Sequence, residues 1–345
     1  MMGGQTDTVL LTGISGFVAK HVARELLVRG FRVRGTVRTA ARVDAVRTTL
    51  SAAGADVSRL EFVEADLTRD AGWDEAADGC RFVIHTASPF PSVPPRDKFG
   101  LVGPAVEGTR RVVRAAQRGR VERLVLTSSV VAIYHGHEGR QADRFTEADV
   151  SNVDSPDIYA YAVSKTLAER AAWEAVQGSA LELSVINPSL VLGPVLDADY
   201  GASVGLVADM MKGRIPLAPD ARFGVVDVRD VAQAHVEAML RPEAAGRRFI
   251  VTDGSMSVLE IANAIGAFDP RFAGRVPKRQ IPTLLIRLAA RVSRRAAMLA
   301  VEVGSNRVLD NTAARTLLGV EFRPRSRAVE ATVASLLKSG AVEAR

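Results

Sequence analysis

Cysteine is almost absent from this chain: Cys80 is the only one in 345 residues. An internal disulfide is therefore excluded, and a reducing compartment is compatible. The expected place of Cys80 is a small buried apolar position just ahead of a strand. Long hydrophobic runs are missing too. No apolar stretch reaches the roughly 20 residues that cross a bilayer, and Ile281–Val292 is interrupted by Arg287 and Arg291. The first strand is expected within about ten residues of the start, leaving no room for a signal-peptide core. Aromatic residues make up only 5%, and none are interleaved with basic residues as a nucleic-acid surface would require. There is no internal repeat, no low-complexity tract and no flexible linker. Lysine is scarce: six of the 45 basic residues, leaving 39 arginines and a net charge of +6. The densest basic stretch, Arg271–Arg295, is expected as a packed helix with a solvated arginine face. Charge of this kind also attracts an anionic small molecule. These absences point to a cytoplasmic protein with a small-molecule partner, no nucleic acid and no membrane, as a monomer or homodimer.

What remains is a regular alternation. Strand-like runs lie at Thr8–Leu11, Phe31–Val37, Leu60–Glu64, Phe82–His85, Val121–Thr127 and Leu181–Asn187. Helical patterns separate them at Phe17–Arg29, Ala40–Ala52, Gly103–Arg118 and Tyr161–Gln177. Such alternation predicts an α/β fold, a parallel doubly wound sheet with helices on both faces. Beyond Pro188 the texture changes to shorter helices and loops punctuated by Pro194, Pro216, Pro219 and Pro242.

Three groups of residues carry chemistry. Thr12-Gly-Ile-Ser-Gly-Phe-Val-Ala19 follows the first strand and opens the first helix, the context of a dinucleotide-binding turn. Gly13 permits the tight turn, Gly16 lets the backbone approach a pyrophosphate, and Ala19 is small enough for close helix–strand packing. Free N–H groups around Ser15, Phe17 and Val18 then face the anion. The second group is Thr127-Ser-Ser129, hydroxyls at the carboxyl end of a strand, where open α/β sheets bind ligands. A serine there can donate to a substrate oxygen as charge develops on it. The third is Tyr161-Ala-Val-Ser-Lys165, in which residues four apart share a helix face. An ammonium beside the phenol favours the phenolate, and a tyrosine so tuned serves as acid or base in carbonyl–alcohol interconversion. Tyr159 is expected on a different helix face. The second strand ends in Arg38, with Arg42 shortly after and no carboxylate before Asp44. A guanidinium fork there suits a ribose 2′-phosphate.

Together these residues resemble the extended short-chain dehydrogenase/reductases, and within them the dihydroflavonol-reductase-like branch. The likeness also covers Val83-Ile-His-Thr-Ala-Ser-Pro89, Pro104-Ala-Val-Glu-Gly-Thr109, Ser164–Trp173, Asn187–Pro194 and Val225–Ala232. The resemblance implies a Rossmann domain over residues 1–188 that binds NADP(H). It implies, for 189–345, mainly a substrate-binding cap partly interleaved with that domain. It assigns Ser129, Tyr161 and Lys165 to catalysis, with Lys165 lowering the tyrosine pKa and gripping the nicotinamide ribose. Cofactor contacts fall to Gly13, Ser15, Gly16, Phe17, Val18, Arg38, Arg42, Asp66, Leu67, Thr86, Ala87, Ser88, Thr127, Pro188 and Val191. Substrate contacts fall to Phe90, Val131 and Tyr134, beside Ser129 and Tyr161. Tyr200, Met210, Met211 and Phe223 are further pocket candidates that serve equally as cap core.

The chain also departs from its better-known relatives. Asp157-Ile-Tyr-Ala-Tyr161 replaces the Asn-Trp-Tyr-Cys-Tyr of cinnamoyl-CoA reductases, and Tyr134 stands where plant flavonoid reductases place an amide. The expected substrate is therefore a hydrophobic aldehyde or ketone, interconverted with its alcohol. The alternatives are a nucleotide-sugar epimerase or dehydratase and a non-catalytic NADPH sensor. No metal is expected: His135 and His137 lack an evident third ligand, and His85 and His235 are expected to be packed.

Overall fold

The structure, a computed structural model, describes residues 7–88, 97–137 and 144–343. Twelve strands appear among them. They are β1 (Thr8–Thr12), β2 (Arg32–Val37), β3 (Leu60–Glu64), β4 (Phe82–His85), β5 (Arg123–Thr127) and β6 (Arg144–Phe145), then β7 (Glu182–Pro188), β8 (Leu190–Leu192), β9 (Arg222–Asp227), β10 (Arg248–Val251), β11 (Gly254–Ser257) and β12 (Val308–Leu309). The helices are α1 (Phe17–Val28), α2 (Val43–Ala52), α3 (Trp73–Ala77), α4 (Val102–Arg118), α5 (Val131–Tyr134), α6 (Ala160–Val176) and α7 (Ala202–Met211). Chain order continues with α8 (Val228–Leu240), α9 (Val258–Phe268), α10 (Thr283–Ala289), α11 (Arg294–Glu302), α12 (Thr312–Leu317) and α13 (Arg325–Lys338).

Seven strands pair in the order β10-β7-β5-β4-β1-β2-β3, all in parallel. In the central strands β1, β4 and β5 the apolar runs are continuous rather than alternating because helices cover both faces. On one face α1 presents Ala19, Val22, Ala23, Leu26 and Leu27 to the core, the i, i+3, i+4 spacing of a one-sided helix. Helix α8 packs beside it, and α4 packs against α6 on the other face. Strand order reverses between β1 and β4. Ligands of such sheets sit in the crevice outside the strand carboxyl ends at that point.

Residues after 189 contribute to both parts. Strand β10 closes the edge of the main sheet, while β8, β9 and β11 form a separate three-stranded sheet. Around that sheet α7, α9 and α13 enclose a second core built on Val204, Val207, Met210, Met211, Ile261, Phe272 and Val333. Met210 and Met211 are therefore cap core rather than pocket wall, and Tyr200 and Phe223 pack against the same cluster. The two cores are stitched at α1: buried Lys20 pairs with Asp197, whose second oxygen accepts from Thr49 Oγ1 at 3.1 Å.

Two local expectations are corrected. Residues 40–52 begin as a single 3-10 turn over Ala40–Arg42 before α2 starts. The Ala40 N–H donates to Glu64 Oε1 at 2.6 Å, which fixes that turn to the end of β3. The basic segment is not one packed helix with only arginines in solvent. It breaks into α10 and α11, with Ser293 capping the second through the Ala296 N–H. Only Ile286 of α10 is buried, while Leu284, Leu285, Leu288 and Val292 stand exposed. Seven residues offer too few turns to bury a full apolar stripe.

Candidate active site

The carboxyl ends of β1, β4, β5 and β7 deliver the predicted residues to one crevice. After β1, Gly13 takes φ +66°, and a Cβ there would lie 2.9 Å from the Ala87 Cβ. Left-handed backbone and contact with the β4 loop both require glycine. The Gly13 N–H donates to Thr36 Oγ1 at 2.9 Å, and the Gly16 N–H donates to the Gly13 carbonyl at 2.9 Å. Gly16 is the N-cap of α1 and offers no side-chain cap. The N–H groups of the first turn, which no helical carbonyl serves, thus remain available at the positive end of the helix dipole. That is the chemistry a pyrophosphate needs, so the turn fits a dinucleotide. Thr86 and Ala87 bind back to β1, through Thr86 Oγ1 to the Thr12 carbonyl at 2.6 Å and the Ala87 N–H to Thr12 Oγ1 at 3.1 Å. Ser88 and Leu67 line a small cleft that also reaches Lys165.

At the ends of β2 and β3 the adenosine side is polar. Arg38 is exposed. Asp66 accepts from the Thr68 N–H and Oγ1, both at 2.8 Å. These bonds, with help from nearby Arg38, hold its carboxyl below the usual range. Arg42 pairs with Asp199 at 3.6 Å, both side chains being well exposed.

The Ser128–Ser129 corner follows β5 and is pinned by β7. The Ser128 N–H donates to the Ile186 carbonyl at 2.8 Å, the Val130 N–H to the Pro188 carbonyl at 3.1 Å, and Asn187 Nδ2 to the Ser129 carbonyl at 3.1 Å. Tyr161 and Lys165 lie one turn apart on α6. Lys165 Nζ donates to the Thr127 carbonyl at 3.1 Å, and the Tyr161 phenol hydrogen-bonds the Ser129 hydroxyl. Ser129 and Tyr161 thus meet, with Lys165 held one turn away at the end of β5. Burial pushes the Tyr161 phenol up, and the Ser129 hydroxyl is what opposes that rise. Burial also brings the Lys165 ammonium down to about 8, against a raising influence from Glu169. Among the influences on the phenol, burial comes first and the Ser129 hydroxyl second, and the raised pKa keeps the proton on the phenol at neutral pH. Thr127 is doubly held, its hydroxyl lying 2.7 Å from His235 Nε2.

The remaining candidates are distributed unevenly. Phe90 lies outside the described residues. Val131 and Tyr134 are on α5 and buried in a cluster with Val130, Ile133, Phe145, Ile158 and Ile250; Ile133 is fully enclosed there. The Arg307 guanidinium sits over the Tyr134 ring at 4.3 Å. Tyr159 is not on a helix face at all; it is the extended N-cap residue of α6, its ring 4.9 Å from that of His135. Val191 lies on β8 against the main core. His135, expected in a loop, is buried directly after α5 and lies 3.2 Å from Glu302. Among the described residues no three potential ligands gather around a metal position. Sequence reading missed Glu169, one turn beyond Lys165, and the Ser128, Asn187 and Arg248 side chains that gather on it. The spacing Tyr161, Lys165, Glu169 was the available signal, one column on one helix face.

Four histidines are buried with protonation disfavoured by desolvation, His135 among them. Desolvation lowers His85 to about 3, and His21 and His235 each to about 4. His85 Nδ1 lies 2.7 Å from Thr12 Oγ1. Below the ordinary value of 6.5 the unfolded chain takes up protons at these imidazoles that the folded chain refuses. Stability is then full above that pH and falls as pH drops toward 4. The Tm should decline between pH 7 and 4.5, and less so in His235→Asn, whose amide meets Thr127 without titrating. A Tm that ignores pH across this window contradicts the assignment.

A family model described as the NAD dependent epimerase/dehydratase family matches residues 9–252. The chain is 35% identical over 252 residues to the cinnamoyl-CoA reductase CAD2 of Medicago truncatula, covering 71% of this chain and 76% of the relative. It is 32% identical over 358 residues to the ketoreductase azaE of Aspergillus niger, covering 98% and 99% respectively. Its fold resembles that of the yeast methylglyoxal/isovaleraldehyde reductase Gre2 complexed with NADPH, with a TM-score of 0.80, 25% identity, and coverage of 97% and 99%. With the glycine turn at the switch point of the sheet and the Ser129–Tyr161–Lys165 cluster beside it, the chain belongs to the extended short-chain dehydrogenase/reductases, on their dihydroflavonol-reductase-like branch, and is an NAD(P)-dependent oxidoreductase.

Proposed function

We propose that this protein uses NADPH to reduce medium-sized hydrophobic aldehydes or ketones to alcohols, through Ser129, Tyr161 and Lys165. The observation that carries the reading is the Ser129–Tyr161 hydrogen bond at the carboxyl end of β5, with Lys165 one turn along the same helix. Bound NADPH supplies the hydride. Ser129 holds the carbonyl oxygen, and Tyr161, protonated because burial raises its pKa, donates to that oxygen as charge develops. Lys165 contributes a cation beneath the phenol and donors for the ribose hydroxyls. Arg38 supplies the guanidinium for the 2′-phosphate, in line with the NADPH-bound Gre2 structures. The small carbonyl compound is its partner, and the cytoplasm its proposed compartment.

The apolar character of α5 supports a hydrophobic substrate. So do the arginines that a nucleotide sugar would need for its diphosphate. Arg214 is paired with Asp209 at 3.0 Å, Arg222 with Glu260 at 3.1 Å and Arg229 with Asp227 at 2.6 Å. Each arginine is already engaged. Apolar contacts discriminate by only about 1–3 kcal/mol per methylene, so a broad substrate range follows. The test is loss of NADPH absorbance with a panel of aryl and branched aldehydes and ketones, run beside nucleoside-diphosphate sugars. Turnover of several carbonyl compounds is expected. Activity confined to a nucleotide sugar would transfer the protein to the epimerase/dehydratase reading.

A further inference from the structure

Glu169 is a carboxylate that the proposed reaction does not use, yet it is buried in the middle of the protein, 4% exposed. It lies on α6 one turn beyond Lys165, as Lys165 lies one turn beyond Tyr161. Elements from three directions converge on it. Ser128 Oγ, from the corner after β5, donates to Oε2 at 2.5 Å. Asn187 Nδ2, from β7, donates to the same oxygen at 3.0 Å. Arg248 Nε, from the edge strand β10, lies 2.8 Å from Oε1, and Trp173 Nε1 donates there at 3.4 Å. Glu169 and Lys165 both line the small cleft, together with His85, Thr109 and Ser128.

The charges in this interior decide its electrostatics. Lys165 and Arg248 are cations, and His85 on β4 is neutral, its protonation opposed by burial first and by Lys165 second. His235 on α8 is also neutral, its Nε2 facing the Thr127 hydroxyl and its Nδ1 the Val231 carbonyl. Glu169 supplies the anion. Interior charge without a partner is costly, so removing this carboxylate strips Arg248 of its ion partner and Lys165 of the anion that favours its charged form. The same carboxylate bonds Ser128, the neighbour of Ser129, and thereby joins the serine corner to the helix that carries Tyr161 and Lys165.

We propose that Glu169 is a positioning residue of the reductase site, whose carboxylate keeps Lys165 charged from behind and ties the Ser128–Ser129 corner to α6. The inference rests on the proposed roles of Ser129, Tyr161 and Lys165. Its test is Glu169→Gln, which keeps the shape of the side chain and removes its charge. Two pH profiles are read, one of kcat and one of the NADPH dissociation constant, together with the Tm. With the carboxylate gone, Lys165 loses its proton at lower pH, so the alkaline limb of both profiles should move down by about 1–3 units. On the acidic side of the moved limb, kcat should return to within a few fold of the parent. Glu169→Asp and Glu169→Asn serve where Glu169→Gln folds poorly. Both shorten the side chain equally and differ only in charge, so the limb should be displaced in the Asn variant relative to the Asp variant. A limb that stays in place in Glu169→Gln, or that coincides in the Asp and Asn variants, overturns the proposal and leaves Glu169 a packing residue. Failure of the catalytic reading looks different: Tyr161→Phe and Lys165→Ala would then retain turnover whatever Glu169→Gln does.

Discussion

Tyr161→Phe should lower kcat by about 10²–10⁴-fold or more, the usual contribution of a general acid, while NADPH binds almost as before. The removed hydroxyl belongs to a half-buried side chain beside Ser129, and the desolvation there raises its pKa, so the phenol is protonated at neutral pH. A reductase needs that state, a neutral phenol ready to donate when the carbonyl carbon accepts a hydride. Phenylalanine keeps the ring, and the ring is what packs in the α5–α6 cluster, so fold and cofactor turn should survive. Binding of NADPH, followed by its fluorescence, separates the two effects. Near-parental kcat in the variant would remove Tyr161 from the chemistry. An equal loss of cofactor affinity would make its role structural. Lys165→Ala should differ from Tyr161→Phe by weakening NADPH as well, since its ammonium is asked to meet both the phenol and the ribose.

The fold was legible because each parallel strand is a short continuous apolar run and each crossover helix carries its own period. β3 and β4 match their expected limits, β1, β2, β5 and β7 shift by two residues or fewer, and the edge strand β10 was not foreseen. The glycine turn was legible for a local reason: strand, turn and helix adjoin in sequence, so Gly13 and Gly16 announce their geometry without tertiary information. The Ser–Tyr–Lys cluster needed more, since Ser129 and Tyr161 come from different elements. It was found through family likeness and the i, i+4 spacing. What escaped was assembled only by folding. Arg248 is nearly 80 positions from Glu169, and Glu302 and Arg307 are far from His135 and Tyr134, so no spacing rule joins them. The tyrosine's surroundings are a related case: the lysine four residues on is visible in a helical repeat, but the desolvation that raises the phenol belongs to the whole packed interior.

Arg38→Ala should weaken NADPH by about 10–150-fold, the equivalent of about 1.5–3 kcal/mol for hydrogen bonds to a charged group, and leave NADH nearly unchanged. The side chain stands exposed at the end of β2, where these sheets receive the adenosine ribose. Val37 is followed by arginine instead of a carboxylate, so the ribose 2′-hydroxyl has no acceptor there and a 2′-phosphate has a fork. Glu64 at the end of β3 is taken by the Ala40 N–H at 2.6 Å, and Asp66 just beyond it is occupied by Thr68 through two bonds of 2.8 Å. Its charge repels a phosphate unless Arg38 intervenes, and that adds to the selective loss. Arg42→Ala is the internal comparison. Its guanidinium already faces Asp199 at 3.6 Å and is well exposed, so its removal should cost NADPH binding less. Dissociation constants of both cofactors for the two variants decide the matter. A loss in Arg38→Ala that is equal for NADPH and NADH would mean that the arginine supports the turn rather than the phosphate, and the preference for NADP(H) would have to come from elsewhere in the crevice.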